Sequence, residues 1–197
     1  MTGVEVDRDR RRFLTGATTV VGTAGVAAAA VPFAGSMSIS ARARAVGAPV
    51  EADIAKLAPG QKVTHEWRGQ PIWIVRRTPR MLESLAGVRP RLADPDSRGS
   101  EQPAYAINRF RAREDHPEIL VFIAICTHLG CVPGYHPAAG GDLGSDWPGG
   151  FFCPCHGSRY DLAARVFRGQ PAPRNMAVPP YRYVSDTRLA IGEDEVG

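Results

Sequence analysis

Four cysteines and two of the five histidines crowd into two short segments, Cys126-Thr-His-Leu-Gly-Cys131 and Cys153-Pro-Cys-His-Gly-Ser158, and the chain has no other cysteine. A disulfide scaffold scatters its cysteines to staple distant loops, whereas the ligands of one metal centre must converge and come in tight clusters. Each segment offers one cysteine and one histidine within a few residues, plus a further cysteine. A [2Fe–2S] cluster has two tetrahedral irons joined by two sulfides and needs four protein ligands, two for each iron. One Cys–His pair from each of two loops can clamp it, with both thiolates on one iron and both imidazoles on the other. Two other chemistries compete. Tetrahedral zinc also takes Cys and His at short spacing, but it does not explain two mirrored six-residue loops with a surplus cysteine in each. Purely structural disulfides would leave His128 and His156 as bystanders in matching places of their loops. Visible absorbance and an electron paramagnetic resonance signal on reduction belong to iron alone.

The elements that must hold these loops read as strands. Lys62-Val-Thr-His-Glu-Trp67 alternates, Arg68-Gly69-Gln70 turns the chain, and Pro71-Ile-Trp-Ile-Val-Arg76 continues as a β-rich run, so a hairpin is expected. Thr78 before Pro79 makes a cap and first-turn pair for a short helix over Met81–Leu85 that Gly87 stops. The dense apolar run Ile119–Ile125 has the pattern of a buried central strand and delivers Cys126 at its end. Tyr181–Val184 and Arg188–Ile191, separated by Ser185-Asp186-Thr187, form a closing hairpin. The many Gly and Pro residues between suit an all-β domain with long functional loops.

Ahead of that domain, Arg8, Arg10, Arg11 and Arg12 precede an uncharged stretch from Phe13 to Ala41. About 20 helical residues cross the roughly 30 Å hydrocarbon layer, so one span fits. Its mild Ala/Gly/Thr composition together with Arg11-Arg12-Phe13-Leu14 resembles a bacterial twin-arginine signal, which implies export in the folded state. It is read as a retained anchor; the alternative is a cleaved signal, for which Ala41-Arg42-Ala43 and Ala43-Arg44-Ala45 offer cleavage steps. For a retained anchor, the arginine excess before the span places the N-terminus in the cytoplasm. The small residues of Ser38–Pro49 read as a flexible neck. The expected organisation is therefore a cytoplasmic segment 1–12, a transmembrane helix 13–37, a neck 38–50 and a domain 51–197, with a cluster-binding subdomain about 124–175. The net charge is +4 over 197 residues, and the positive residues are nearly all arginines spread along the chain. They read as a solvated surface, with no basic stripe for nucleic acid. An apolar fraction of 44% excludes disorder.

The pair C-T-H-L-G-C and C-P-C-H-G-S resembles the two cluster-binding loops of the Rieske iron–sulfur subunit of bacterial ubiquinol:cytochrome c reductase. The likeness extends to the twin-arginine anchor, the neck and Pro179-Pro-Tyr-Arg-Tyr-Val-Ser-Asp-Thr-Arg188. Rieske ferredoxins of oxygenases typically lack the extra cysteines and the anchor. The resemblance implies a mainly β chain, a Rieske-type antiparallel β domain with a small cluster-binding subdomain behind one N-terminal transmembrane helix. It makes Cys126 and Cys153 ligands of the inner iron and His128 and His156 ligands of the outer iron of one [2Fe–2S] cluster. It leaves Cys131 and Cys155 to form a disulfide. It also implies hydrogen bonds from Ser158 and Tyr160 to a bridging sulfide and a ligand sulfur, raising the potential, and a cluster-shielding Leu129 that faces the quinone. His156 would contact quinol and take a proton with the electron, and the head would swing on the neck to a cytochrome c-type haem, with cytochrome b sharing the quinol pocket. Such a chain sits in the bacterial cell membrane with its globular part on the periplasmic side. In the family a proline-rich loop reading Gly-Pro-Ala-Pro covers the cluster as a lid; here Gln170 separates Gly169 from Pro171-Ala172-Pro173, which leaves the shape of that lid open. His65, His116 and His136 show no partner pattern and read as surface residues.

Overall fold

The computed structural model describes residues 7–37 and 47–194, which fall into two compact units divided after Arg44. Most of the expected neck, 38–46, with both Ala-x-Ala steps, lies outside the described residues.

Among the described residues the first unit contributes one helix, α1 (Arg8–Ser36), whose 29 residues include no buried side chain. It starts before the expected boundary at residue 13, because Asp7 supplies a cap: its carboxylate accepts from the backbone N–H groups of Asp9 and Arg10, both at 3.1 Å. The arginines thus ride on the first turns of the apolar helix. Thr15, Thr18, Thr19 and Thr23 each donate their hydroxyl to the carbonyl four residues back, at 2.6–2.8 Å. That satisfies these polar groups inside the helix, as hydrocarbon requires. Among the described residues α1 is the one helix long and apolar enough to cross a membrane.

Among the described residues the second unit has three three-stranded antiparallel sheets. The middle one joins β2 (Lys62–Trp67), β3 (Gln70–Arg76) and β4 (Ile119–Ile123). Arg68 and Gly69 both take positive φ, 54° and 71°, the conformation a two-residue hairpin turn needs. A second sheet sets β9 (Arg188–Ile191) between β1 (Val50–Asp53) and β8 (Tyr181–Ser185). Strand β1 carries no strong sequence signal and is recruited by pairing with β9, Val50 opposite Ile191 through Asp53 opposite Arg188. The third sheet, β5 (Gly134–His136), β6 (Gly150–Phe152) and β7 (Arg159–Tyr160), carries the second cysteine loop. Between β3 and β4 runs α2 (Pro79–Gly87), capped by Thr78, whose hydroxyl accepts from Met81 N–H at 3.2 Å.

Side-chain alternation explains how the middle sheet joins the other two. Ile72, Ile74, Ile119 and Val121 pack with Ala52, Tyr181, Leu189 and Ile191 of the second sheet. Trp73, Val75, Leu120 and Phe122 point the other way and pack with Phe151, Tyr160, Cys126 and Cys153. Strands covered on both faces have no polar positions to spare, which is why Ile119–Ile123 is a continuous apolar run.

Candidate metal centre

The two cysteine loops share one backbone frame. In the first, leaving β4, Cys126 N–H donates to Cys131 carbonyl at 2.8 Å and Gly130 N–H to Cys126 carbonyl at 3.0 Å. In the second, between β6 and β7, Cys153 N–H donates to Ser158 carbonyl at 2.8 Å and Gly157 N–H to Cys153 carbonyl at 2.9 Å. The fifth residue of each is a glycine with positive φ, 83° at Gly130 and 81° at Gly157. The side chains do not follow the frame. His128 stands third in its loop and His156 fourth, so the expectation of matching places fails by one position: Leu129, not His128, has the place of His156.

Cys126 and Cys153 are both buried, at 2% exposure, and both are free thiols. Cys131 and Cys155 form the disulfide that ties the loops together. The sulfurs of Cys131, Cys153 and Cys155 lie within 4.8 Å of one another, but two of them are bonded and hold no thiolate, so this grouping marks where the disulfide packs and is no ligand set. The imidazoles of His128 and His156 lie edge to face, centroids 4.7 Å apart. His156 is exposed and His128 half-buried. His128 Nδ1 is buried without a hydrogen-bond partner, a costly state for a ring nitrogen unless it ligates a metal. Two buried free thiols and two adjacent imidazoles, carried by the same two loops, fit a His₂Cys₂ [2Fe–2S] cluster.

Polar groups around the sulfurs are already placed. Burial pushes the Cys126 thiol up, yet hydrogen bonds from Tyr160, the His128 backbone, Cys153 and Ser158 outweigh it and bring its pKa below the ordinary thiol value. Cys153 is driven the other way, by burial and by Cys126 beside it. The Tyr160 hydroxyl is 3.3 Å from Cys126 Sγ and accepts from Thr127 N–H at 3.1 Å. Burial, then Cys126, raises its pKa far above the usual phenol range, so it remains a donor. Ser158 is fully buried, and its Oγ accepts from Ala172 N–H at 3.1 Å. Leu129 is 70% exposed at the loop tip, where its type alone would suggest core.

Several residues that position the site were not visible as such. Thr127 donates its hydroxyl to Arg174 carbonyl at 2.6 Å; Gln170 Oε1 accepts from Arg159 N–H at 3.0 Å. Arg77, Arg111 and Arg165 are fully buried, which corrects the reading of the arginines as a solvated surface. Arg77 holds the carbonyls of Phe110, Leu162 and Pro117, and Arg111 those of Ala163, Ala164 and Met176. Arg165 is paired with Asp161 at 2.6 Å. Burial pushes Arg77 and Arg111 down to about 10, so both remain charged. They replace the regular ladders that the irregular segments around the loops lack. Composition gives no signal for this, because a stapling arginine and a surface arginine look alike in sequence. His116 is also no free surface group: it stacks on Tyr183, centroids 4.2 Å apart, with Glu118 at 3.6 Å. His65 is half-buried, and only His136 is exposed as expected.

A family model for the "Rieske [2Fe-2S] domain" matches residues 95–182, and one described as "Ubiquitinol-cytochrome C reductase Fe-S subunit TAT signal" matches residues 1–40. The chain is 55% identical over 195 residues to the ubiquinol-cytochrome c reductase iron-sulfur subunit of Allochromatium vinosum, covering 98% of this chain and 93% of that one. It is 45% identical over 183 residues to the subunit of the same name from Blastochloris viridis, covering 93% and 92%. A chain of the solved structure "Hyperthermophilic respiratory Complex III" is 25% identical with a TM-score of 0.48, over 90% of this chain and 98% of that one.

Proposed function

This chain belongs to the family of ubiquinol-cytochrome c reductase iron–sulfur subunits, and on that premise we propose that Cys126, Cys153, His128 and His156 are the four ligands of its [2Fe–2S] cluster. As the Rieske subunit of such a reductase it is a redox component of a larger enzyme, taking one electron, coupled to a proton, from quinol and passing it to a c-type haem. The observation that carries the ligand assignment is the pairing of two buried free thiols with two adjacent imidazoles, one of them with an orphaned buried nitrogen.

The cluster supplies a one-electron store within the roughly −150 to +300 mV range of Rieske centres. The residues around it set the conditions. Tyr160 and Ser158 donate toward the sulfurs and favour the more negative state, which places the potential toward the upper end. The exposed imidazole of His156 accepts a hydrogen bond from the quinol hydroxyl and takes its proton, while half-buried His128 completes the ligand set. Leu129 covers the tip with an apolar side chain that excludes water and meets the quinone. The arginine-rich end of α1 stays in the cytoplasm, α1 spans the cell membrane, and the domain works on the periplasmic side against cytochrome b and a c-type cytochrome.

Iron analysis and electron paramagnetic resonance of the dithionite-reduced full chain test the assignment. The wild type is expected to hold two irons and Cys153→Ser none. A Cys153→Ser protein with wild-type iron and spectrum sinks it.

A further inference from the structure

The lid departs from its family pattern at Gln170, and the structure gives that residue a task. Tyr160 and Val166 face each other as an antiparallel bridge, and Arg159 carbonyl accepts from Phe167 N–H at 3.1 Å. A regular antiparallel pair returns a carbonyl from the facing strand to the N–H of the same residue. Here Gln170 Oε1 takes that place, 3.0 Å from Arg159 N. The chain turns away from β7 at Gly169, φ +69°, so the side-chain amide makes the last bond of the ladder and fixes where the lid departs.

Two further anchors follow along the lid. Buried Ala172 donates its N–H to Ser158 Oγ at 3.1 Å, and Arg174 carbonyl accepts from Thr127 Oγ1 at 2.6 Å. The Ser158 anchor matters for the chemistry. An oxygen that accepts a fixed amide donor has its own proton directed elsewhere, and Ser158, fully buried, closes the second cysteine loop, its carbonyl accepting from Cys153 N–H at 2.8 Å.

We propose that Gln170 is a positioning residue for the cluster: by standing in for the missing ladder carbonyl it holds the lid so that Ala172 N–H aims the Ser158 hydroxyl at the cluster sulfurs. The inference rests on the cluster assignment made above. The hydrogen bonds of Gln170 go to Arg159 N–H and Arg168 carbonyl, and its influence passes through Ser158.

Redox titration of the purified full chain in detergent, followed by the electron paramagnetic resonance of the reduced cluster, tests it. Gln170→Leu removes the acceptor and is expected to cost the reduced form about fivefold in relative stability, about 40 mV downward for one electron. In a Ser158→Ala background the same change is expected to shift nothing further, an outcome that general loosening of the fold would not give. A wild-type potential in Gln170→Leu overturns the proposal, and so does a shift of equal size in the Ser158→Ala background. Should Gln170→Leu fail to hold the cluster, Gln170→Asn, one methylene too short, is titrated instead: a lowered potential supports the latch and a wild-type potential overturns it. Failure of the cluster assignment looks different, as a wild-type protein without the signal.

Discussion

The loops 126–131 and 153–158 have the same backbone and unlike side chains. Each closes with the same two hydrogen bonds and a left-handed glycine in the fifth place. Over that frame the first loop reads His, Leu, Cys at places three, four and six, and the second reads Cys, His, Ser. The shift of one place separates the imidazoles in exposure, half-buried in the first loop and open in the second. It also lets Cys131 reach Cys155 from a different position in its loop, and puts an exposed leucine where the partner loop has its histidine. The frame brings the two Cys/His loops together; the offset makes the two histidines unequal and leaves His156 as the one open to solvent.

The strongest way to break this pairing is to cut the bond between the loops. Replacing Cys131 and Cys155 together by alanine is expected to cost about 3 kcal/mol for a loop of 24 residues. Thermal unfolding of the oxidised protein measures it, and an unchanged midpoint would mean that the frame alone holds the loops. Next come the glycines. Neither Gly130 nor Gly157 has any atom within 4 Å of where a Cβ would stand, so Gly130→Ala and Gly157→Ala should each cost only the conformational penalty, about 1–2 kcal/mol. Equal losses in denaturant titrations would sharpen the equivalence of the frames. A clear inequality would show that one loop is strained beyond its backbone.

The smallest effect concerns the side chains. Tyr160 serves the first loop, through Cys126 Sγ and Thr127 N–H, whereas Ser158 belongs to the second. Tyr160→Phe removes one donor to a sulfur and is expected to lower the midpoint potential by about 40 mV, for about 1 kcal/mol lost from the reduced state. An unchanged potential would remove Tyr160 from the group that tunes the cluster.

Much of the fold was legible because its signals are local. Arg68-Gly69 turned a hairpin as expected, Thr78-Pro79 started a helix and Gly87 ended it, and the apolar run 119–125 became a doubly covered strand over Ile119–Ile123, two residues short of the expected end. Strand β1 was not legible, because four mixed residues become a strand only when β9 offers a free edge. The buried arginines were not legible either, since what makes Arg77 or Arg111 a staple is the set of carbonyls around it. The six chemistry-bearing Cys and His residues could be read, but their assumed equivalence could not stand, because exposure is no property of spacing.

The residues by themselves determined that two Cys/His loops would meet, that one apolar helix would lead the chain, and that strands would carry the loops. Periodicity and ligand type are encoded over a few neighbouring residues. Tertiary structure decided which sulfurs bond to each other, which imidazole faces outward, and which carbonyls and N–H groups Thr127, Gln170 and three buried arginines bind around the loops. Those outcomes depend on contacts between segments far apart in the chain, and no local pattern records such distances.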